Sequence, residues 1–309
     1  MTRRTALGLT LGGFATAAAP PQHAVFQSTD RGRSWMRADL GLPGEARVNA
    51  FAFTGAAIFT GTDVGIFVSR NRSQSWQPAS ASAGRILSFA AAGDAIFAGT
   101  DKQGLLVSAD GGVTWRRDPG FPGQTVRSLL AVGSAVYAGT DSQGAFVKLN
   151  ERAPWSAINV GLPEHAQLFA MAAVNGQVFS GLYARGLYRW AEGEHRWRKT
   201  AEVVPLSLAH SVGALIAGHN PGGIWRSDDV GQTWTQGAGD MAANSPIWAL
   251  SAGPGAPVFA GADSGIYFSG DQGRTWSRAR MGLPAESPGI AFLVTAELVL
   301  AGVILKHTR

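Results

Sequence analysis

The sequence predicts an all-β protein, because a unit of about 40 residues recurs along it and each unit contains four short apolar segments separated by turn-forming residues. Apolar and polar residues alternate over four to six positions within these segments, and no segment keeps a helical period. The units are marked by tryptophans spaced 37 to 42 residues apart: Trp35, Trp76, Trp115, Trp155, Trp197, Trp234 and Trp276.

The four apolar segments of a unit are predicted strands. In the first complete unit they cover residues 48–53, 58–61, 65–69 and 75–78. A four-stranded antiparallel unit that repeats around an axis is a blade of a β-propeller. Seven units therefore predict a seven-bladed β-propeller that occupies residues 20–309.

The two ends of the repeat array are incomplete in complementary ways. The first repeat residues, "AVFQSTDRGRSW", supply the third and fourth strands of a blade, and the last, "GIAFLVTAELVLAGV", supply the first and second. We therefore expect the two ends to build one blade together and to close the ring. Closure removes the unpaired sheet edges that an open array exposes.

Five of these tryptophans are the last residue of a recurring octet. It reads "STDRGRSW" at 28–35, "SADGGVTW" at 108–115, "SDDVGQTW" at 227–234 and "SGDQGRTW" at 269–276, with an eroded copy, "SRNRSQSW", at 69–76. Its carboxylate can accept hydrogen bonds from turn N–H groups, and its glycine permits an unusual backbone conformation. We expect a structural turn rather than a catalytic carboxylate, carried by Asp30, Asp110, Asp229 and Asp271 with Trp35, Trp115, Trp234 and Trp276.

Position by position, the octet resembles the Asp-box or BNR repeat, Ser/Thr-x-Asp-x-Gly-x-Thr-Trp. Sialidases, sortilin-type receptors, xyloglucan-active endoglucanases and photosystem II assembly factors carry this repeat on propeller blades. The resemblance implies that ligands bind on the face opposite the octets. The chain is most similar to the non-catalytic members, which implies a binding protein for a protein or glycan partner, such as an assembly or scaffold factor.

The candidate binding residues lie where the first strands begin and where the second and third strands join, at the end opposite the octets. They are arginines, aromatic residues and two other polar residues: Arg47, Asn49, Arg85, Arg127, Phe169, Arg185, His219 and Trp248. Arginines with aromatic walls suit a carboxylate, a sugar acid or an acidic peptide. The alternative is that these arginines only solvate the strand ends. The carboxylates of the "GTD" and "GAD" turns, Asp63, Asp101, Asp141 and Asp263, are predicted to have a turn role.

A sialidase-like or other glycoside hydrolase acting on an acidic or complex glycan is the alternative function. In the sialidases the nucleophile is a tyrosine, and Tyr183 is the one tyrosine outside the predicted core. The Phe/Tyr-Arg-Ile-Pro segment of that family is missing, and the family has six blades. Six scattered histidines show no metal-ligand spacing. We expect no cofactor or metal and favour a protein that is not an enzyme.

Composition and the N-terminus bound the remaining expectations. The chain has 309 residues, no cysteine and a net charge of +5 without a basic run, so we expect no nucleic-acid partner. Residues 1–19 resemble an export signal, with Arg3 and Arg4 before a short apolar run as in the twin-arginine route. The sequence thus predicts an exported monomer, periplasmic or extracellular, without an integral membrane segment in the mature chain.

Overall fold

The structure is a computed structural model that describes residues 22–80, 83–241 and 244–306. The predicted export signal at 1–19 lies outside the described residues. None of the described residues form a helix with the length and the apolar character that spanning a bilayer requires. The regular secondary structure of the described residues is almost entirely β-strand, as predicted.

Four kinds of strand recur, named by their order within a blade. The first strands are Val48–Phe53, Ile86–Ala92, Val126–Val132, Leu168–Val174, Pro205–Ser211, Ile247–Ser251 and Gly289–Val294. The second strands are Ile58–Thr62, Ala95–Thr100, Ala135–Thr140, Gln177–Leu182, Ala214–His219, Val258–Ala262 and Val299–Ile304. The third strands are Gly65–Ser69, Leu105–Ser108, Ala145–Lys148, Gly186–Ala191, Ile224–Ser227, Gly265–Ser269 and His23–Ser28. The fourth strands are Gln77–Ser80, Arg116–Arg117, Ser156–Ala157, Arg196–Ala201, Thr235–Gln236, Thr275–Arg278 and Met36–Arg37.

These strands form seven antiparallel blades, numbered 1 to 7 in the order of their first strands. Each first strand packs against the first strand of the next blade, and that of blade 7 packs against that of blade 1. The first strands therefore surround a central channel, and the prediction of a seven-bladed propeller is confirmed. Two further elements are a two-residue strand, Ala238–Gly239, which pairs in parallel with the fourth strand of blade 6, and a 3-10 turn, Glu192–Glu194.

Blade 7 is built from both ends of the array, as predicted. Its strand His23–Ser28 pairs antiparallel with Val299–Ile304, from His23 opposite Ile304 to Ser28 opposite Val299. Gly289–Val294 and Met36–Arg37 complete the sheet. Six consecutive residue pairs join the two ends of the array, so blade 7 closes the ring through an ordinary strand ladder.

The strand bounds in blade 1 differ from the prediction at two places. The second strand extends to Thr62, one residue beyond the predicted end. The fourth strand is Gln77–Ser80 rather than 75–78, so the prediction that Trp76 lies within it is wrong. The backbone N–H of Trp76 donates to Leu40 O at 2.8 Å and its indole N–H donates to Ala38 O at 2.7 Å. Both bonds tie Trp76 to the segment that follows blade 7, outside the blade 1 ladder.

A glycine on each second strand lets neighbouring blades approach closely. These glycines are Gly61, Gly99, Gly139, Gly181, Gly218, Gly261 and Gly302. A Cβ at Gly139 would lie 2.6 Å from the Leu168 Cβ of blade 4, and one at Gly302 would lie 3.0 Å from Val48 Cγ1 of blade 1. Side chains longer than hydrogen therefore collide with the first strand of the next blade at these positions.

Serine hydroxyls add hydrogen bonds at three of the same contacts. Ser88 Oγ donates to Val126 O at 3.3 Å, and Ser128 Oγ donates to Leu168 O at 2.9 Å. Ser207 Oγ donates to Ile247 O at 3.0 Å in the same way. Each of these bonds runs from one first strand to the next, so they reinforce the contact that the glycines permit.

The octet at 108–115 forms a turn held by its own side chains. Asp110 Oδ1 accepts from the Ser108 hydroxyl at 2.8 Å and from the Thr114 backbone N–H at 2.9 Å, and Oδ2 accepts from the Thr114 hydroxyl at 2.5 Å. Ser108 Oγ accepts from the Gly112 N–H at 2.8 Å. Asp30, Asp229 and Asp271 repeat this pattern in their turns.

The octets also pack against the preceding blade. The Trp115 ring meets Phe59 of blade 1 edge-on, with ring centroids 6.0 Å apart. Gly112 has a φ of +82°, and a Cβ there would lie 2.2 Å from the Phe59 ring. The glycine is therefore needed both for backbone conformation and for contact with the neighbouring blade.

The eroded octet keeps most of this turn. Asn71 Oδ1 accepts from the Ser69 hydroxyl at 2.9 Å and from the Ser75 N–H at 3.0 Å, while Asn71 Nδ2 donates to Ser75 Oγ at 2.8 Å. Ser73 replaces the glycine at a φ of +63°, and its hydroxyl donates to Gln27 Oε1 at 2.6 Å. An amide oxygen therefore substitutes for the carboxylate.

The inter-blade contact predicts that Gly139→Ala destabilises the ring. The added Cβ would collide with Leu168 and with Ser128 Oγ, and overpacking of this kind costs about 1–3 kcal/mol of unfolding free energy. Gly270→Ala is the matched control, because a Cβ at Gly270 meets nothing within 4 Å. We expect the control to unfold within about 1 kcal/mol of the parent in chemical denaturation. Equal midpoints for the two variants would contradict the contact.

The octet carboxylates predict a loss of thermal stability in acid. Hydrogen bonds from the Ser34, Thr114 and Thr233 hydroxyls, and then from the same residues' N–H groups, lower the pKa values of Asp30, Asp110 and Asp229 from 3.8 to about 2. Burial raises the pKa of Asp271, but the bonds from Thr275 and Ser269 outweigh it and bring that pKa to about 2. Each folded pKa lies below the unfolded value, so the stabilisation is present above pH 3.8 and is lost as the pH falls towards 2.

We therefore expect the melting temperature to fall steeply between about pH 4 and pH 2. Replacing all four carboxylates by asparagine should flatten that fall, because the amides do not titrate and Asn71 shows that an amide fits the turn. Thermal unfolding across this pH range, followed by circular dichroism, measures both effects. An unchanged acid profile in the fourfold variant would show that other groups control it.

Candidate binding face

One end of the propeller carries the predicted binding residues. We call it the site face: it is the end where the first strands begin and where the second and third strands join. The opposite end, the octet face, carries the octets and the turns between the first and second strands. Strand direction alone separates the two, because alternate connections of an antiparallel blade lie at opposite ends.

A β-bulge interrupts the register of every first strand next to the site face. The residues at these seven bulges are Asn49, Leu87, Arg127, Phe169, Leu206, Trp248 and Ile290. A bulge leaves one residue without a ladder partner and redirects its side chain. Because the first strands are innermost, the bulges form a ring around the mouth of the channel on this face.

Blades 1 and 2 contribute a row of charged and polar groups. Asn49 Nδ2 donates to Asp63 Oδ1 at 2.7 Å, and Arg85 Nε lies 3.0 Å from the same oxygen. Arg85 Nη1 also lies 4.0 Å from Asp101 Oδ2. The backbone N–H groups of Asp63 and Asp101 donate to the carbonyls of Arg47 and Arg85, which sets each turn against the start of its first strand. One arginine thus bridges the turns of two blades.

Blades 3 and 4 continue the row with aromatic groups. Arg127 forms an ion pair with Asp141, and its guanidinium lies 4.5 Å from the centre of the Phe169 ring. Phe169 stacks on Tyr183, with centroids 5.1 Å apart and an interplanar angle of 26°. Tyr183 is 46% exposed. The guanidinium and two rings therefore form a layered surface in which the tyrosine is accessible.

Blade 6 adds a second exposed aromatic residue. Trp248 is 45% exposed, and its indole N–H donates to Asp263 Oδ1 at 2.7 Å. Lys306 Nζ donates to Asp263 O at 3.3 Å. The bulge residue of the first strand and the aspartate of the neighbouring turn are thus paired here as Asn49 and Asp63 are in blade 1.

Three predicted site residues lie on this face, but the described contacts do not join their side chains to the row. Arg185 is exposed in the turn after Leu182. His219 Nδ1 accepts from the Val204 N–H at 3.0 Å, and burial lowers the pKa of His219. Arg47 is half-buried, and burial together with the Arg47 charge lowers the pKa of His23. His219 is therefore a neutral acceptor at neutral pH.

The structure adds partners that the sequence did not identify. The turn aspartates face arginines and an indole, so Asp63, Asp101 and Asp141 offset the charge of Arg85 and Arg127. Leu87, Leu206 and Ile290 complete the bulge ring with apolar groups. These three residues occupy the same position in the repeat as Asn49 and Arg127, and that alignment could have identified them from the sequence. The site face is therefore more nearly neutral, and more apolar, than the arginines alone suggested.

No metal-ligand cluster of three or more His, Asp or Glu residues occurs within 22–80, 83–241 and 244–306. Within the same ranges, the Tyr183 side chain stacks on Phe169. A nucleophilic tyrosine in a retaining mechanism requires an adjacent base. The described contacts of Tyr183 do not supply one.

No protein-family model matches this chain, and no curated protein matches it in sequence. The fold resembles those of many solved structures. The extracellular domain of BT4673 from B. thetaiotaomicron has a TM-score of 0.69 at 16% identity, with 87% of this chain and 40% of that chain covered. The matched region is therefore well under half of the length of that solved chain.

Two other similar structures differ in coverage. YCF48 from Cyanidioschyzon merolae has a TM-score of 0.63 at 16% identity, over 90% of this chain and 98% of that chain. A GH74 xyloglucanase from Xanthomonas campestris has a TM-score of 0.59 at 16% identity, over 75% of this chain and 45% of that chain. At these identities the likeness shows a shared propeller fold.

Proposed function

We propose that this protein is a non-catalytic propeller that binds a partner protein through its site face. The observation that carries the proposal is the row from Asn49 through Asp63, Arg85 and Asp101, continued by the layer of Arg127, Phe169 and Tyr183. Paired charges beside exposed aromatic rings are typical of the rim and anchors of a protein interface. A partly neutralised surface with an accessible aromatic ring fits an extended peptide segment better than a small ion.

Similar structures support a binding role. One of them is described as YCF48 bound to D1 peptide, with a TM-score of 0.62 at 19% identity and 87% of this chain covered. The octets add the resemblance to Asp-box propellers, whose non-catalytic members bind partners. We further propose that the chain is exported, because residues 1–19 resemble an export signal and BT4673 supplies an extracellular domain with the same fold.

A glycoside hydrolase is the second candidate. The observation in its favour is that Tyr183 is 46% exposed beside a layer that contains an arginine. GH74 enzymes share the fold. Two observations weigh against this candidate. The described contacts of Tyr183 include no base. The arginines that would bind a substrate carboxylate are already paired with aspartates.

The first test of the binding proposal is capture of a partner by the folded protein from the exported fraction, followed by titration of the purified partner. Replacing Arg47, Arg85 and Arg127 together by glutamine should weaken binding roughly tenfold at low salt, because the face loses three positive charges and the ion pairs of Arg85 and Arg127. The loss should shrink near 0.5 M salt, since exposed charges are screened over about 4–5 Å there. Arg116, Arg117 and Arg196, exposed on outer strands, make a matched control of equal charge.

Equal affinities for the two triple variants would move the binding surface away from the site face. The Tyr183→Phe variant distinguishes the hydrolase from the binding protein. We expect the parent protein to be inactive on an activated sialoside, so that the variant changes nothing. Turnover by the parent that disappears in Tyr183→Phe would establish the hydrolase instead.

A further inference from the structure

The channel ends on the octet face in an apolar cavity of about 460 Å³. Its walls include Phe51, Phe53, Phe89, Leu293 and Pro254. These residues come from blades 1, 2, 6 and 7, so the cavity lies at the channel end on the side of these four adjacent blades. Phe53 is 46% exposed. A concave apolar surface with an exposed aromatic side chain is typical of a binding site.

A second cavity, of about 380 Å³, continues the first between blades 7 and 1. Phe53 and Thr295 line both cavities, so the two form one groove from the channel to the rim. The outer part is polar, with Gln27, Gln74 and Arg70 in its walls. The groove therefore passes from an apolar inner end to a polar outer end. We call it the octet-face groove.

The groove lies where the octet is eroded. In blade 2 the octet glycine Gly112 is pressed against Phe59 of the preceding blade. The residue of blade 7 at the register position of Phe59 is Leu300, which is smaller, and blade 1 has Ser73 in place of the glycine. The Ser73 hydroxyl bonds to Gln27 across the blade boundary. Because leucine is smaller, the boundary between blades 7 and 1 lacks the aromatic contact that Phe59 makes at the boundary between blades 1 and 2.

An ion pair spans the outer part of the groove. Arg72 lies 3.3 Å from Glu297, and the side chains are 83% and 76% exposed. Arg70 is also exposed, and the described contacts assign it no carboxylate. Exposed ion pairs of this kind are weak, so a carboxylate from another molecule can replace Glu297 at small cost. The outer end therefore offers two guanidinium groups to an anion.

We propose that the octet-face groove binds an extended peptide segment. A large apolar side chain of that segment occupies the inner cavity beside Phe53, and a carboxylate side chain pairs with Arg70 and Arg72, displacing Glu297. The side-chain amides of Gln27 and Gln74 line the outer cavity, where Gln27 Oε1 accepts from the Ser73 hydroxyl, and they suit the donors and acceptors of a peptide backbone. A fatty acid has the same apolar and acidic ends but carries no backbone amides that could pair with these side chains.

The test uses a dye-labelled peptide with one tryptophan and, three residues later, two aspartates, titrated with the full chain by fluorescence anisotropy. Replacing its tryptophan by alanine, or its aspartates by asparagine, should weaken binding roughly fivefold or more in each case. Decanoate competes as the lipid probe. Displacement of the peptide by decanoate at lower concentrations than by unlabelled peptide would overturn the proposal in favour of a lipid site.

Protein variants test the two ends of the groove separately. Phe53→Ser, at an exposed position, should lower the affinity for the peptide roughly tenfold. The double variant Arg70→Gln with Arg72→Gln should lower that affinity several-fold at low salt. Glu297→Gln should tighten binding roughly twofold to threefold, because it removes the competing carboxylate. Arg33→Gln, an exposed arginine of the octet face outside the groove, should change nothing.

Arg127→Gln should also leave this peptide's affinity unchanged, because Arg127 lies on the site face. That result separates the groove from the proposed partner site, so either can fail alone. No binding of the peptide, or equal affinity for the parent, Phe53→Ser and Glu297→Gln variants, would overturn the proposal.

Discussion

Each blade meets the next at a glycine on its second strand, where any larger side chain would collide with the neighbouring first strand. The distance between blades is therefore set by backbone and by the first residue of each inner strand, such as Leu168 against Gly139. Gly302 makes the same contact with Val48 and so joins the last blade to the first. Because the contact recurs all round the ring, a change in one blade spacing would have to be absorbed by the others.

The site face inherits its geometry from this contact. Ser128 and Ser207 donate to Leu168 O and Ile247 O, the carbonyls of the residues just before the bulges at Phe169 and Trp248. The bulge therefore starts where the blades are held most closely. Side chains at the bulges are consequently placed by packing between blades, and the rows of Arg85 with Asp63 and of Arg127 with Phe169 bridge neighbouring blades at this level.

The octet face is built by a different rule. There the glycine and tryptophan of each octet pack on an aromatic or aliphatic residue of the preceding blade, as Gly112 and Trp115 do on Phe59. Where that residue is Leu300, the octet has lost both its aspartate and its glycine without losing the turn. At this boundary the eroded octet coincides with the octet-face groove.

The fold could be predicted from the sequence because its determinants are local and recur. Glycines, alternating apolar residues and octets each repeat in phase, and the incomplete ends complement one another. The start of the fourth strand at Gln77 was mispredicted because Trp76 bonds to Leu40 and Ala38, which are distant in the sequence. The pairing of Arg85 with Asp63 and the stacking of Phe169 on Tyr183 also depend on distances between elements. The repeat pattern placed these residues on one face but did not specify their contacts.

Closure of the ring is the claim on which both faces depend, and a chain that ends at Pro288 tests it most directly. This chain lacks Gly289–Val294 and Val299–Ile304, so strand His23–Ser28 loses its ladder and Gly302 no longer meets Val48. Thermal unfolding of the shortened and full chains is the measurement. Closure predicts that the shortened chain loses the cooperative transition or melts far below the full chain, because two sheet edges and the blade contacts are exposed. A cooperative transition at the same temperature in both chains would contradict the account.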